Sequence, residues 1–204
     1  MQHLLPRRLA LLVLTLGLAA CASWPGPGWV TLIDGERGLD NWNRVGDANW
    51  QVDAGGITAN QGKGGFLVSK QSYKDFVIYA EFWAASDTNS GIFFRASDPA
   101  RITADNSYEA NIWDIRPDPT YATGAIVNFA PVPKPPVYLA GGRWNTMEIT
   151  AQGELLTVKL NGVQTVQIRN NKYSSGPFAL QYGAGVQGAN GGPIKWRMVR
   201  IKPL

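Results

Sequence analysis

Apolar and polar side chains alternate with a period of two through most of this chain. Across residues 76–83, Phe76, Ile78, Ala80 and Phe82 share one side, while Val77, Tyr79, Glu81 and Trp83 share the other. That alternation is the signature of a half-buried β-strand. Similar short segments, rich in Val, Ile, Phe, Tyr and Trp and punctuated by Gly, Asn and Asp, predict strands at 50–52, 66–69, 76–83, 91–96, 108–113, 125–128, 144–151, 155–160, 163–168, 178–182 and 195–201. Almost no stretch carries a helical period. Asn161-Gly162 falls between two of these segments, and both residues tolerate positive φ, so 155–168 should form a tight hairpin. The spacing predicts an all-β fold, a two-sheet antiparallel β-sandwich or jelly roll. Three long connections, 97–107, 115–123 and the proline-rich 130–139, should rim a site or cover an edge.

The amino terminus does not fit that pattern. Arg7 and Arg8 precede the apolar run 9–14, and small residues then lead to Cys21, the order of a secretory signal. The run is well short of the ~20 residues that cross a bilayer. Leu18-Ala19-Ala20-Cys21 matches a bacterial lipobox, in which the cysteine receives a diacylglycerol. We expect a signal peptide at 1–20, a lipidated tether at 21–28 containing two Pro-Gly pairs, and one domain at 29–204. The paired arginines fit a twin-arginine signal only loosely, which favours the general secretory route. Cys21 would tie the domain to a membrane in the cell envelope. Ala22, in place of a retention aspartate, points to the outer membrane.

Loss of the leader removes two of nineteen basic residues and no acid, leaving 17 against 15 and lowering the formal charge from +4 to +2. No run of lysines or arginines exists, so nucleic acid is not an expected partner. The only histidine, His3, leaves with the leader. The remainder, with one lipidated cysteine, cannot build a Cys/His zinc site or a nucleophile–histidine system. Stability rests on packing, for which a domain of this length suffices.

Three segments each offer a face that mixes polar and aromatic groups: Glu81 with Trp83, Phe93 with Arg95, and Glu109 with Asn111 and Trp113. Such faces suit sugars, whose hydroxyls need charged or amide partners and whose C–H faces stack on rings. Cross-strand ion pairs on a solvated sheet face are the alternative. Trp42, Trp50, Trp144 and Trp196 are expected in the core. Gly183-Ala184-Gly185-Val186-Gln187-Gly188 satisfies G-x-G-x-x-G, but the Gly- and Pro-containing stretch after it cannot open the helix that holds a pyrophosphate. No E-x-D-x-x-E run is present, although Glu81 and Glu109 leave two-carboxylate hydrolysis open.

Along the domain the chain resembles the 3-keto-disaccharide hydrolase domain family, a concanavalin A-like jelly roll. The resemblance is carried by Leu32-Ile33-Asp34-Gly35 with Leu39 and Trp42; by Gly64-Gly65-Phe66-Leu67 with Lys70; and by Tyr73-Lys74-Asp75-Phe76 with Glu81-Phe82. Asn89-Ser90-Gly91-Ile92-Phe93-Phe94-Arg95 is its most specific piece. Tyr108-Glu109, Asn111-Ile112 and Asp114, with asparagine for a glutamine, and Leu180-Gln181, Trp196 and Arg197 extend it. One departure is clear: a family histidine after Leu-Gln-x is missing between Tyr182 and Gly183.

The resemblance implies a substrate oxidised at C3 of a sugar, whose acidic C2 hydrogen lets a base drive elimination of the C1 substituent before water adds. It implies Glu109 as base, Arg95 as enolate or substrate partner, Glu81 or Lys70 as proton donor, and Asn111, Trp113, Gln181, Trp83 and Asp114 as binding groups. No cofactor is required, although calcium or magnesium would suit a histidine-free set of oxygens. The missing histidine keeps a second reading open, a lectin-like lipoprotein that holds glycan without cutting it, and beside both stands a structural envelope protein.

Overall fold

The computed structural model describes residues 26–188 and 191–204. The leader, Cys21 and most of the tether lie outside the described residues. Thirteen strands are present among them: β1 (Val30–Asp34), β2 (Trp42–Gly46), β3 (Gln51–Asp53), β4 (Gly56–Ala59), β5 (Gly64–Ser69), β6 (Phe76–Ala84), β7 (Ser90–Phe94), β8 (Tyr108–Ile112), β9 (Arg143–Gln152), β10 (Leu155–Leu160), β11 (Val163–Arg169), β12 (Ala179–Gly183) and β13 (Ile194–Pro203). They pair antiparallel into two sheets, an eight-stranded one ordered β11-β10-β9-β6-β13-β4-β3 with β1 on β13, and a five-stranded one ordered β2-β5-β12-β7-β8. The chain is therefore an all-β sandwich.

Alternation along β6 buries Phe76, Ile78, Ala80, Phe82 and Ala84 between the sheets, as the pattern predicts. The facing layer supplies Ile92, Phe94, Tyr108, Ile112, Leu180 and Tyr182. Phe76 meets Phe94 edge-on across this interior at 6.2 Å between centroids. Each such ring, removed from water, contributes roughly 1.5–3 kcal/mol before entropy is counted. Trp42, Trp50 and Trp196 are core residues as expected, but Trp144 is 37% exposed on the outer face of the larger sheet. The hairpin at Asn161-Gly162 has both turn residues at positive φ, 51° and 79°, the conformation that matches strand twist.

Two expectations need correction. Residues 125–128 form no strand: Ile126 makes only isolated bridges to Ala110 and Ala130, because Asn128 at φ 67° turns the chain back. Strands β1, β2 and β4 escape the pattern because β1 and β2 are largely exposed and polar, and β4 is buried at every position. Of the long connections, 97–107 lays Ile102 against Val68, Phe93 and Ala179 on the outer face of the five-stranded sheet. In the described residues no helix is long and apolar enough to cross a membrane.

Candidate functional site

Consecutive strands β6 and β7 enter different sheets, and that separates the polar-aromatic faces seen in the sequence. Glu81 and Trp83 lie outside the eight-stranded sheet, whereas Glu109, Asn111 and Gln181 lie outside the five-stranded one. In the smaller sheet Gly91 stands opposite Asn111, and Phe93 opposite Glu109. The register through Ala179↔Phe93 and the Asn89↔Gly183 bridge sets Gln181 opposite Gly91 on the other side. Gln181 in turn faces Phe66. Period-two alternation sends all these side chains away from the core.

Gly91 makes the floor. A β-carbon there would sit 3.2 Å from Glu109 Oε1 and 3.3 Å from Glu109 Cγ, so the carboxyl leans over the glycine toward Gln181. Glu109 is only 6% exposed, and among the described residues no hydrogen bond reaches its carboxyl. Burial therefore pushes Glu109 up from 4.5 to about 7, although the Arg116 guanidinium pulls the other way.

On the same outward side of the sheet and in the loop after it, four polar atoms have no partner among the described residues: Asn111 Oδ1, Gln181 Oε1, Trp113 Nε1 and Arg116 Nε. Asn111 Nδ2 donates to the Tyr121 carbonyl at 2.5 Å, which holds the amide with Oδ1 free. The Arg116 guanidinium lies 5.5 Å from the Trp113 ring centroid. Buried polar atoms ordinarily find partners. Two acceptors and two donors without partners, on the side of the sheet that carries an uncommitted carboxyl, Phe66 and Phe93, are the groups that a polyhydroxylated ligand with apolar faces would need.

Other expected site residues are employed elsewhere. Arg95 sits at φ 54°, which breaks the strand alternation. Its guanidinium, 2% exposed, donates to the carbonyls of Lys74 at 2.8 Å, Gly153 at 2.9 Å and Tyr173 at 3.3 Å, and to Asp75 at 3.1 Å. It is a tie between loops, paired with Asp75 and not with Glu109. Asp114 accepts from Thr123 Oγ1 and from the backbone amides of Ala140 and Gly141, at 2.6–3.0 Å, so it anchors a loop. Lys70 donates to the Asp40 carbonyl at 2.6 Å. Glu81 pairs with Arg197 at 2.6 Å on the larger sheet. None of these four carries a free group to Glu109, and Trp83 also lies on the far face.

Sequence reading missed Arg116 and the floor glycine. Arg116 sits in a loop with no periodicity, and its only signal was the length of that connection. Beside the place of the missing family histidine, Gly183 packs closely against Asn89, whose Nδ2 donates to the Ala184 carbonyl at 2.6 Å. In the described residues no group of three or more Asp, Glu, Cys or His side chains is placed to hold a metal ion.

Comparison with known structures places the fold. A protein of Parabacteroides distasonis described as a candidate glycosyl hydrolase is 22% identical, with TM-score 0.68 over 86% of this chain and 99% of its own. Carbohydrate binding module CBM66 from Bacillus subtilis is 16% identical, with TM-score 0.56 over 86% and 95%. A Bacillus subtilis protein of unknown function with a galectin-like fold is 9% identical, with TM-score 0.57 over 84% and 93%. At these identities the likeness concerns fold alone, and no curated protein sequence matches the chain. Residues 28–202 match a family model over most of the chain, so this protein belongs to the 3-keto-alpha-glucoside-1,2-lyase-like domain family.

Proposed function

We propose that this protein cleaves glycosides oxidised at C3, with Glu109 as the base. The observation that carries the reading is the buried, unpartnered Glu109 carboxyl, raised to about 7, on a sheet side whose Asn111 and Gln181 also hold unpartnered oxygens. A C3 ketone makes the C2 hydrogen acidic. Ionised Glu109 takes that proton; the C2–H electron pair forms an enolate, whose oxygen the Arg116 guanidinium stabilises. Collapse of the enolate makes the C1–C2 double bond and breaks the bond from C1 to the leaving oxygen. Protonated Glu109 returns its proton to that oxygen, and water adds across C1–C2. A group near 7 suits both roles, because it can be base and then acid at neutral pH. Asn111 and Gln181 accept from sugar hydroxyls, while Trp113 donates and stacks. In this reading the domain works in the cell envelope, attached to a membrane through Cys21.

The sign of the pH dependence follows. Glu109 must be ionised to act, so kcat/KM for a 3-keto-disaccharide should rise about tenfold per pH unit below about 7 and level off above it. Initial rates from pH 5 to 9 check this. A profile that is flat or falls through that range overturns the assignment of Glu109.

The absence of the family histidine from Leu180-Gln181-Tyr182-Gly183 favours a second reading, a glycan-binding domain that does not cut. Saturable binding of the same disaccharide with no product would select it.

A further inference from the structure

The opposite side of the sandwich carries a second arrangement that the Glu109 face does not use. Trp83 and Trp144 are direct cross-strand partners on β6 and β9, with Lys195 opposite Trp83 on β13. All three point away from the core, since Phe82, Ala84 and Trp196 fill the inner face. Beside the two indoles opens a cavity of about 470 Å³ whose lining includes Asp53, Thr58, Asn60 and Lys195. Trp144 is 37% exposed and Trp83 beside it is half-buried, so the pair presents apolar ring surface on the outer face of the sheet.

The charges around it select the occupant. Lys195 pairs with Asp53 at 2.7 Å, Arg197 with Glu81 at 2.6 Å, and Lys159 with Glu148 at 2.9 Å. Arg197 also lies 4.3 Å from the Trp144 ring centroid, which steadies that ring. Lys195 and Arg197, the cations nearest the two indoles, are each held by a carboxylate, so the cleft itself offers little attraction to phosphate or an anionic bilayer. The cleft is nonetheless rimmed by hydroxyl, amide and charged groups, unlike a groove built for an apolar helix. Indole rings bordered by hydroxyl and amide groups and an internally compensated ion pair suit an uncharged polysaccharide chain, with C–H faces on the indoles and hydroxyls at Asp53, Asn60 and Lys195.

We infer that the outer face of the eight-stranded sheet, centred on Trp83 and Trp144, is a second carbohydrate-binding site that holds neutral polysaccharide away from the Glu109 face. It goes beyond the catalytic reading and does not require it. Affinity electrophoresis through native gels containing amylopectin, barley β-glucan or xylan tests it, beside cleavage of a 3-keto-disaccharide in solution. At least one polymer should retard the protein. Trp144→Ala and Asp53→Ala should weaken that retardation about tenfold, the loss of one good stacking or hydrogen-bonding contact, with the melting temperature and any keto-disaccharide turnover unchanged. Glu109→Gln should leave retardation intact. The inference fails if no polymer retards the wild type, if Trp144→Ala migrates like wild type, or if Glu109→Gln removes retardation as fully as Trp144→Ala. A dimer in sedimentation that Trp144→Ala dissociates would also overturn it, assigning the face to a second copy of the chain.

Discussion

Glu109→Gln should abolish turnover and at the same time make the protein more stable above pH 7. The amide is nearly isosteric with the carboxyl but can neither take nor return a proton, so loss of the base should lower kcat by roughly 10²–10⁴. Stability moves the other way because burial penalises the ionised form. The Glu109 carboxyl is raised from 4.5 to about 7 in the folded protein. The native state therefore favours the proton, and the stabilisation this gives is fully present below about 4.5 and is lost as pH rises to about 7. A shift of that size corresponds to at most about 3 kcal/mol. Glutamine resembles the protonated form at every pH. The variant should match wild type in urea denaturation at pH 4 and exceed it at pH 8. Equal midpoints at both values would mean that the carboxyl is not held in a strained, desolvated state.

Arg95→Ala should have the largest effect on folding, with little of it traceable to chemistry. The guanidinium joins the segment before β6, the turn between β9 and β10, and the loop at Tyr173. Asp75 also accepts from the Gly153 amide at 2.8 Å, so the pair closes a small network. Truncation leaves three carbonyls and a carboxylate without their partner and opens a cavity. Breaking a buried pair of this kind typically costs about 3–5 kcal/mol, a large part of the ~5–15 kcal/mol that holds a domain together. Equilibrium denaturation measures it. A variant with the wild-type midpoint and no turnover would instead return Arg95 to the reacting centre.

The same two residues show what the sequence displays and what it hides. Glu109 and Asn111 could be assigned to one outward face because they alternate with apolar Tyr108, Ala110 and Ile112, but the burial of Glu109 on that face was not legible. Arg95 extends the same alternation on paper. Its left-handed φ, imposed where the chain leaves β7, turns it into the interior, and no residue pattern marks that turn. Sheet membership was also illegible: β6 and β7 are adjacent in the chain, yet one pairs with β9 and β13 and the other with β12 and β8. Glu81 and Trp83 consequently belong to a different surface from Glu109. Trp144 looked like core because tryptophan is usually buried; its register beside Trp83, set by long-range pairing, puts it outside. Arg116 came from a loop, where position depends on tertiary contacts alone.

The most direct test of the central claim is product release from a 3-keto-disaccharide and from its unoxidised parent, measured side by side on the wild-type protein. The account predicts cleavage of the keto sugar only, because the parent has no acidic C2 hydrogen for Glu109 to remove. Cleavage of both at similar rates would contradict it, since the C3 ketone would then play no part in breaking the bond.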